Sequence, residues 1–134
     1  MAEKNIVFVC EHGAAKSVVA SAWFNKLAAE NGLDIRSTAR GTHPDADLGA
    51  KAVEGLASDG LTPTESVPQK ISLEEVQSAQ HMVTFCELPQ EYKNIAASES
   101  WAEVPDISDG YEPARDAIVE HVEKLIYELN HEAR

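Results

Sequence analysis

Asn5-Ile6-Val7-Phe8-Val9-Cys10-Glu11-His12-Gly13-Ala14-Ala15-Lys16-Ser17 sets the architecture of the whole chain. Asn5 to Val9 is an almost unbroken apolar run, the pattern of a strand buried on both faces. It delivers Cys10 to its end. A short loop follows, and a helical pattern begins at Lys16 or Ser17. This layout sets a thiol against the amino end of a helix, below a ring of loop amides. Inward-pointing amides and a positive helix terminus favour an anion, whether thiolate or oxyanion. Cys10 is therefore the candidate nucleophile.

Outward from this stretch, Val18, Val19, Ala22, Trp23 and Leu27 recur at helical spacing from Ser17 to Asn31, where Asn31-Gly32 ends the helix. Leu33 to Ala39 alternates as a second strand and closes at Arg40-Gly41. Strand, helix, strand at this spacing predicts a right-handed βαβ unit with parallel strands. A helix is expected from about Leu48 to Asp59, then a surface connection from Leu61 to Lys70 containing Pro63 and Pro68. Ser72-Leu73-Glu74-Glu75 has the capping-box pattern of another short helix. His81 to Cys86 predicts a third strand, Pro89 to Ala97 a helix or turn, and Ser100 to Val104 a fourth strand. Pro105 to Gly110 is turn-rich. The last helix spans about Pro113 to His131, with Ala117, Ile118, Val122, Leu125, Ile126 and Leu129 on one face. Strands alternating with helices imply an α/β three-layer sandwich, a single domain over residues 1–134. Ligands of such sheets sit outside the carboxyl ends of the strands, where Cys10 lies.

Composition narrows the function classes. The chain has 134 residues, 43% of them hydrophobic, and a formal charge of −12. That charge argues against nucleic acid, which needs a basic face. It also repels anionic substrates at long range, so an oxyanion site must be made locally by amides, a helix end and one or two cations. No apolar run approaches the roughly 18 residues of a membrane span. The first residues predict a strand rather than a signal peptide, and two cysteines far apart in sequence do not suggest a disulfide framework; a cytoplasmic location is expected. The five histidines show no metal-ligand spacing, and no bound cofactor or metal is expected.

Cys10, five intervening residues, then Lys16-Ser17 resembles the active-site loop of the low-molecular-weight protein tyrosine phosphatase superfamily, which includes the thiol-dependent arsenate reductases. The resemblance covers nearly the whole chain. It takes in Ala39-Arg40-Gly41-Thr42, the His43-Pro44 turn, the Val83-Thr84-Phe85-Cys86 strand end, Trp101 to Asp106, and Arg115-Asp116-Ala117-Ile118. It implies a four-stranded parallel sheet flanked by helices. It also implies that Cys10 attacks phosphorus or arsenic while the amides of Glu11, His12, Gly13, Ala14, Ala15, Lys16 and Ser17 hold the oxyanion. Ser17 has two expected roles: capping the helix, or, by resemblance, donating to the nucleophile. Asp106 falls where the family's general acid lies, with Asp109 as its competitor. Cys86 falls where arsenate reductases carry a resolving cysteine. Tyr92 and Tyr111 are candidates for the pocket wall, and Trp23 and Trp101 for core or edge packing.

The chain departs from the family pattern in several places. Lys16 stands for an arginine whose planar fork binds two oxygens at once, and lysine offers a point contact instead. Glu11 adds negative charge beside the anion, and His12-Gly13 replaces the usual Gly-Asn. Pro105 precedes Asp106 rather than following it. No third cysteine lies between Glu87 and Ala97. Lys16-Ser17 also matches the end of a nucleotide-binding phosphate loop, but that motif needs glycines where this chain has Cys10 and Ala15.

Thr84-Phe85-Cys86 makes arsenate reduction the first expectation. Cys10, Lys16, Ser17, Asp106 and Cys86 would carry it, with an external thiol reductant such as thioredoxin or a small thiol. A phosphatase acting on phosphomonoesters is the alternative, and a catalytically weak oxyanion-binding module the third.

Overall fold

The computed structural model describes residues 5–92 and 98–132. Four parallel strands form one sheet in the order β2-β1-β3-β4: β1 Asn5–Cys10, β2 Arg36–Gly41, β3 His81–Thr84 and β4 Ser98–Ser100. The helices are α1 Lys16–Glu30, α2 Ala50–Ser58, α3 Leu73–Ser78 and α4 Tyr111–Glu132. β1 is central because nearly all of it can be buried on both faces. Ile6, Phe8 and Cys10 point into the larger core under α1, α2 and α4. Val7 and Val9 point to the other side, onto Ile71, Val76 of α3 and Met82. The expected three-layer α/β sandwich with its four-stranded parallel sheet is the observed fold.

Several boundaries differ from expectation for physical reasons. β2 lies two to three residues later than its apolar alternation suggests, because pairing with β1 sets its register from Asn5↔Arg36 to Cys10↔Gly41. β3 ends at Thr84, yet Phe85 N–H still bonds Val9 O (2.8 Å), so Phe85 and Cys86 continue over the carboxyl edge. The fourth strand is Ser98–Ser100 rather than Ser100–Val104. Its residues are exposed at the sheet edge, while Trp101 and Val104 turn back into the core. Gln90–Tyr92 is one 3₁₀ turn; the remainder of the expected Pro89–Ala97 element lies outside the described residues. α2 is slightly shorter than expected, and α4 begins two residues before Pro113, which a helix tolerates in its first turn. The Ser72 capping box is present with both reciprocal bonds.

Trp101 anchors the core against Phe8 (5.6 Å between ring centroids) and Phe85 (5.9 Å), and Phe8 also meets Phe24 (5.9 Å). Phe8 and Phe85 lie close to Cys10 and Cys86 in sequence. The aromatic cluster therefore fixes the two strand ends from which both thiols project.

Candidate active site

β1 ends at Cys10, and the chain turns through Glu11–Ala15 into α1. What shapes this loop is where its carbonyls go. Cys10 O accepts from Thr42 N (3.1 Å), Glu11 O from His43 N (2.7 Å), His12 O from Asp45 N (3.0 Å), and Ala14 O from Gly49 N (2.8 Å). Four carbonyls are thus drawn outward onto the segment after β2. Among the described residues, the amides of Glu11 to Ser17 donate to no backbone acceptor. These donors are the natural partners of an anion.

Two glycines permit this turn. Gly13 has φ +61°, a conformation that a side chain disfavours, and a Cβ there would sit 2.9 Å from Gly41 N. A Cβ on Gly41 would lie 2.6 Å from Gly13 N. The loop therefore rests directly on the backbone of β2. This is why Gly41 stands in the Arg40-Gly41-Thr42 stretch.

The Cys10 thiol is mostly buried, and its Sγ lies 3.0 Å from Ser17 Oγ. Ser17 is not the helix cap. The cap position is Ala15, which has no side-chain capping bond, and Ser17 sits inside the first turn behind Cys10. An uncapped first turn leaves its donors free for the loop.

Above Cys10 is a cavity of about 380 Å³. The loop contributes Cys10, Glu11, His12, Ala15 and Lys16; the end of β3 contributes Phe85 and Cys86; the segment before α4 contributes Asp106, Ile107 and Ser108. Lys16 Nζ lies 3.0 Å from Asp106 Oδ1, with the lysine side chain 15% exposed and the aspartate 66%. Lys16 is thus folded into the site, not extended into solvent. Asp106 lines the cavity and Asp109 does not. Burial, and then the neighbouring Cys10, push the Cys86 thiol above its ordinary range, against the opposing pull of the Thr42 side chain.

The sequence profile described as low molecular weight phosphotyrosine protein phosphatase matches residues 5–134. The chain belongs to that family. No curated protein sequence is a significant match. Among solved structures, the chain is similar to YfkJ from Bacillus subtilis at 18% identity and a TM-score of 0.86, over 100% of this chain and 99% of that one. It is similar to a low molecular weight phosphotyrosine phosphatase from Vibrio cholerae at 17% identity and a TM-score of 0.82, over 98% and 99%. It is also similar to the Bacillus subtilis arginine phosphatase YwlE, in a mutant with a phosphorylated active-site serine, at 20% identity and a TM-score of 0.74, over 94% and 95%. At these identities the structures speak for the fold. Family membership carries oxyanion and phosphoester chemistry; it lends no specific support to the arsenate reductase branch.

Within this phosphatase fold, Cys10, Lys16, Asp106 and Cys86 meet around one cavity, while Gly13, Ala14 and Ser17 lie behind it as backing. Tyr92 and Tyr111 do not line it. Tyr92 borders a separate cavity beside Thr42 and His43, and Tyr111 lies at the start of α4 against α2. Arg40 faces away and pairs with Glu75 (2.6 Å) and Glu65 (3.2 Å), pinning α3 and the preceding connection to β2. His12 bridges Glu11 (3.3 Å) and Asp45 (3.2 Å) at the cavity mouth. Among the described residues, no group of three or more histidine, cysteine or acidic side chains is placed to hold a metal. No described helix is long and apolar enough to cross a membrane. Sequence reasoning did not find the Lys16–Asp106 contact or the Gly13–Gly41 contact. For the second, two glycines flanking a predicted strand pair were the available signal.

Proposed function

We propose that the chain is a phosphatase that hydrolyses phosphomonoesters through a phosphocysteine. The observation that carries this is Cys10 Sγ, 3.0 Å from Ser17 Oγ, beneath unpaired loop amides and across one cavity from Asp106. Cys10 attacks phosphorus as the thiolate, and the Ser17 hydroxyl donates to it. The amides from Glu11 to Ser17 and the Lys16 ammonium bind the phosphoryl oxygens, whose negative charge they neutralise as the bond to the leaving group breaks. Asp106 gives its proton to the leaving oxygen; its carboxylate then takes a proton from the water that releases inorganic phosphate from Cys10.

A second reading, arsenate reduction, is favoured by one observation: Cys86 lines the same cavity as Cys10. There, Cys10 would displace water from arsenate. Cys86 would then attack the Cys10 sulfur, two electrons would pass to arsenic, and arsenite would leave from a Cys10–Cys86 disulfide that an external thiol reduces. Family membership supports phosphoester chemistry and lends nothing specific to this relay, so hydrolysis stands first.

The test is an aryl-phosphate assay beside an intact-mass time course with arsenate. Phosphate release that needs Cys10 and survives Cys86→Ser supports the phosphatase. A disulfide formed on arsenate addition and abolished by either Cys10→Ser or Cys86→Ser, without phosphate release, establishes the relay instead. Silence in both assays removes both reactions and leaves an oxyanion-binding module.

A further inference from the structure

We propose that Lys51 is a positioning residue that holds the Asp106 loop over Cys10, an inference that rests on the phosphatase reading above. Lys51 is the second residue of α2, and its Nζ donates to Ser108 O at 2.9 Å. Ser108 lies two residues beyond Asp106, in the single 3₁₀ turn Ile107–Asp109 that also lines the cavity. Among the described residues, the backbone of Pro105–Gly110 makes two internal bonds, Asp109 N to Asp106 O and Gly110 N to Ile107 O. Among the described residues, the Lys51 bond is the one hydrogen bond that reaches this backbone from another part of the chain. Ile107 adds a buried side chain, and Lys16 meets the Asp106 carboxylate itself.

Helix chemistry supplies an independent reason to single out this lysine. The first turn of α2 contains no acidic residue and does contain Lys51, a cation at the end where the helix dipole disfavours one. The lysine is therefore not there for the helix. It breaks a local rule and spends its charge on a carbonyl of the acid-bearing loop.

Gly49, the residue that caps α2, donates its N–H to Ala14 O (2.8 Å) in the anion loop. Three consecutive residues, Gly49 to Lys51, thus contact both the loop that presents the nucleophile and the loop that presents the acid. Nothing in the reaction passes through Lys51. It sets the height of Asp106 above the phosphoryl group, where small displacements are costly.

The experiment compares kcat/KM for phenyl phosphate, whose leaving oxygen needs a proton, with p-nitrophenyl phosphate, which leaves without one. Lys51→Met is expected to lower the phenyl phosphate value about tenfold and the p-nitrophenyl phosphate value less than about twofold. Lys51→Arg, which keeps a donor, should restore most of the phenyl phosphate rate. Equal losses for both substrates, or no loss for either, overturn the proposal; a thermal melt of each variant separates an equal loss caused by unfolding. Asp106→Asn serves as the reference. If it shows no dependence on the leaving group, the acid role assigned to Asp106 fails, and the Lys51 proposal fails with it. No Cys10-dependent hydrolysis of either substrate by the unaltered chain overturns the phosphatase reading itself.

Discussion

The floor and the roof of the Cys10 cavity are built by opposite means. The floor, Cys10 to Ser17, is clamped by four backbone hydrogen bonds to the segment after β2 and by direct contact between Gly13 and Gly41. The roof, Pro105 to Gly110, is held by side chains: Lys51 on Ser108 O, Lys16 on Asp106, and its own buried Ile107. Backbone-to-backbone clamps fix position and leave little freedom to relax. Side-chain tethers, two of them partly exposed, are individually weak and easily exchanged. The difference matches the two tasks. Donors for developing negative charge must be in place before the reaction, whereas a proton donor must admit substrate beneath it and release product.

If the floor is pre-set by backbone contact, the most damaging change is one that pushes that contact apart. Gly41→Ala places a Cβ 2.6 Å from Gly13 N and 2.9 Å from Gly13 Cα, atoms that cannot swing aside. Overpacking of this kind costs about 1–3 kcal/mol of stability. The chain should still fold, but Cys10-dependent hydrolysis should fall at least about a hundredfold as the amides lose their aim. Steady-state assay together with a thermal melt checks this. A folded variant with unchanged rate would show that the floor is not rigid in the sense argued.

Lys16 joins floor and roof, so substitution there tests both at once. Lys16→Met removes the charge from the anion and the partner from Asp106, and should cost about a hundredfold in kcat/KM. Lys16→Arg restores a planar fork able to hold two oxygens and is expected to raise kcat/KM several-fold above the unaltered chain. A flat response would mean that the 3.0 Å Lys16–Asp106 contact matters more than bidentate anion binding.

A smaller effect belongs to the Ser17 hydroxyl, which supports the nucleophile without touching substrate. Ser17→Ala deletes the 3.0 Å contact to Cys10 Sγ. A hydrogen bond to a charged group contributes about 1.5–3 kcal/mol, and at the lower end of that range kcat/KM should drop about tenfold. Alkylation of Cys10 by iodoacetate near neutral pH should slow in parallel. Lost activity with unchanged alkylation would point to a packing defect behind the loop rather than to the thiolate.

How legible these two regions were in the sequence follows from the same contrast. The floor was visible because its determinants are local: an apolar run, a cysteine, five residues, and helical spacing from Lys16 onward. The parallel pairing of the first two strands and the α/β layering followed from that unit. The roof was located only by the resemblance, which set Asp106 in the loop before the last helix, and its tethers come from residues far away in sequence, Lys16 and Lys51. The misplaced fourth strand has a related cause. Trp101 and Val104 are apolar because they are buried, at 1% and 2% exposure, not because they pair. Ser98-Glu99-Ser100 pair with β3 but lie exposed at an edge, where polar side chains give no alternation to detect. Hydrophobicity reported burial faithfully and hydrogen bonding not at all. Ser17 shows the same limit, since a serine at a helix start suggests a cap until the turn places its hydroxyl behind Cys10.

The smallest effect comes from the hinge on which the roof ends. Tyr111 follows Gly110 directly and begins α4. Its hydroxyl donates to Asp59 Oδ2 (2.8 Å) and accepts from Trp23 Nε1 (3.4 Å), while Arg115 bonds the same aspartate at 3.1 Å. Gly55 of α2 leaves room for the Tyr111 ring, which a side chain there would strike. Burial, with Asp59 adding to it, raises the Tyr111 phenol from its ordinary 10 to about 12. The folded state therefore holds this proton more tightly than the unfolded chain. The contribution is intact below pH 10 and is lost as the pH rises from there through about 12. Tyr111→Phe should remove this part of the alkaline loss of stability and, by leaving Asp59 short of a donor, cost about 1 kcal/mol near neutral pH. Thermal melts of the two proteins across that alkaline range measure the difference. Superimposable profiles would mean that the phenol contributes nothing to the hinge, and that the roof is anchored by Ile107, Lys51 and Lys16 without it.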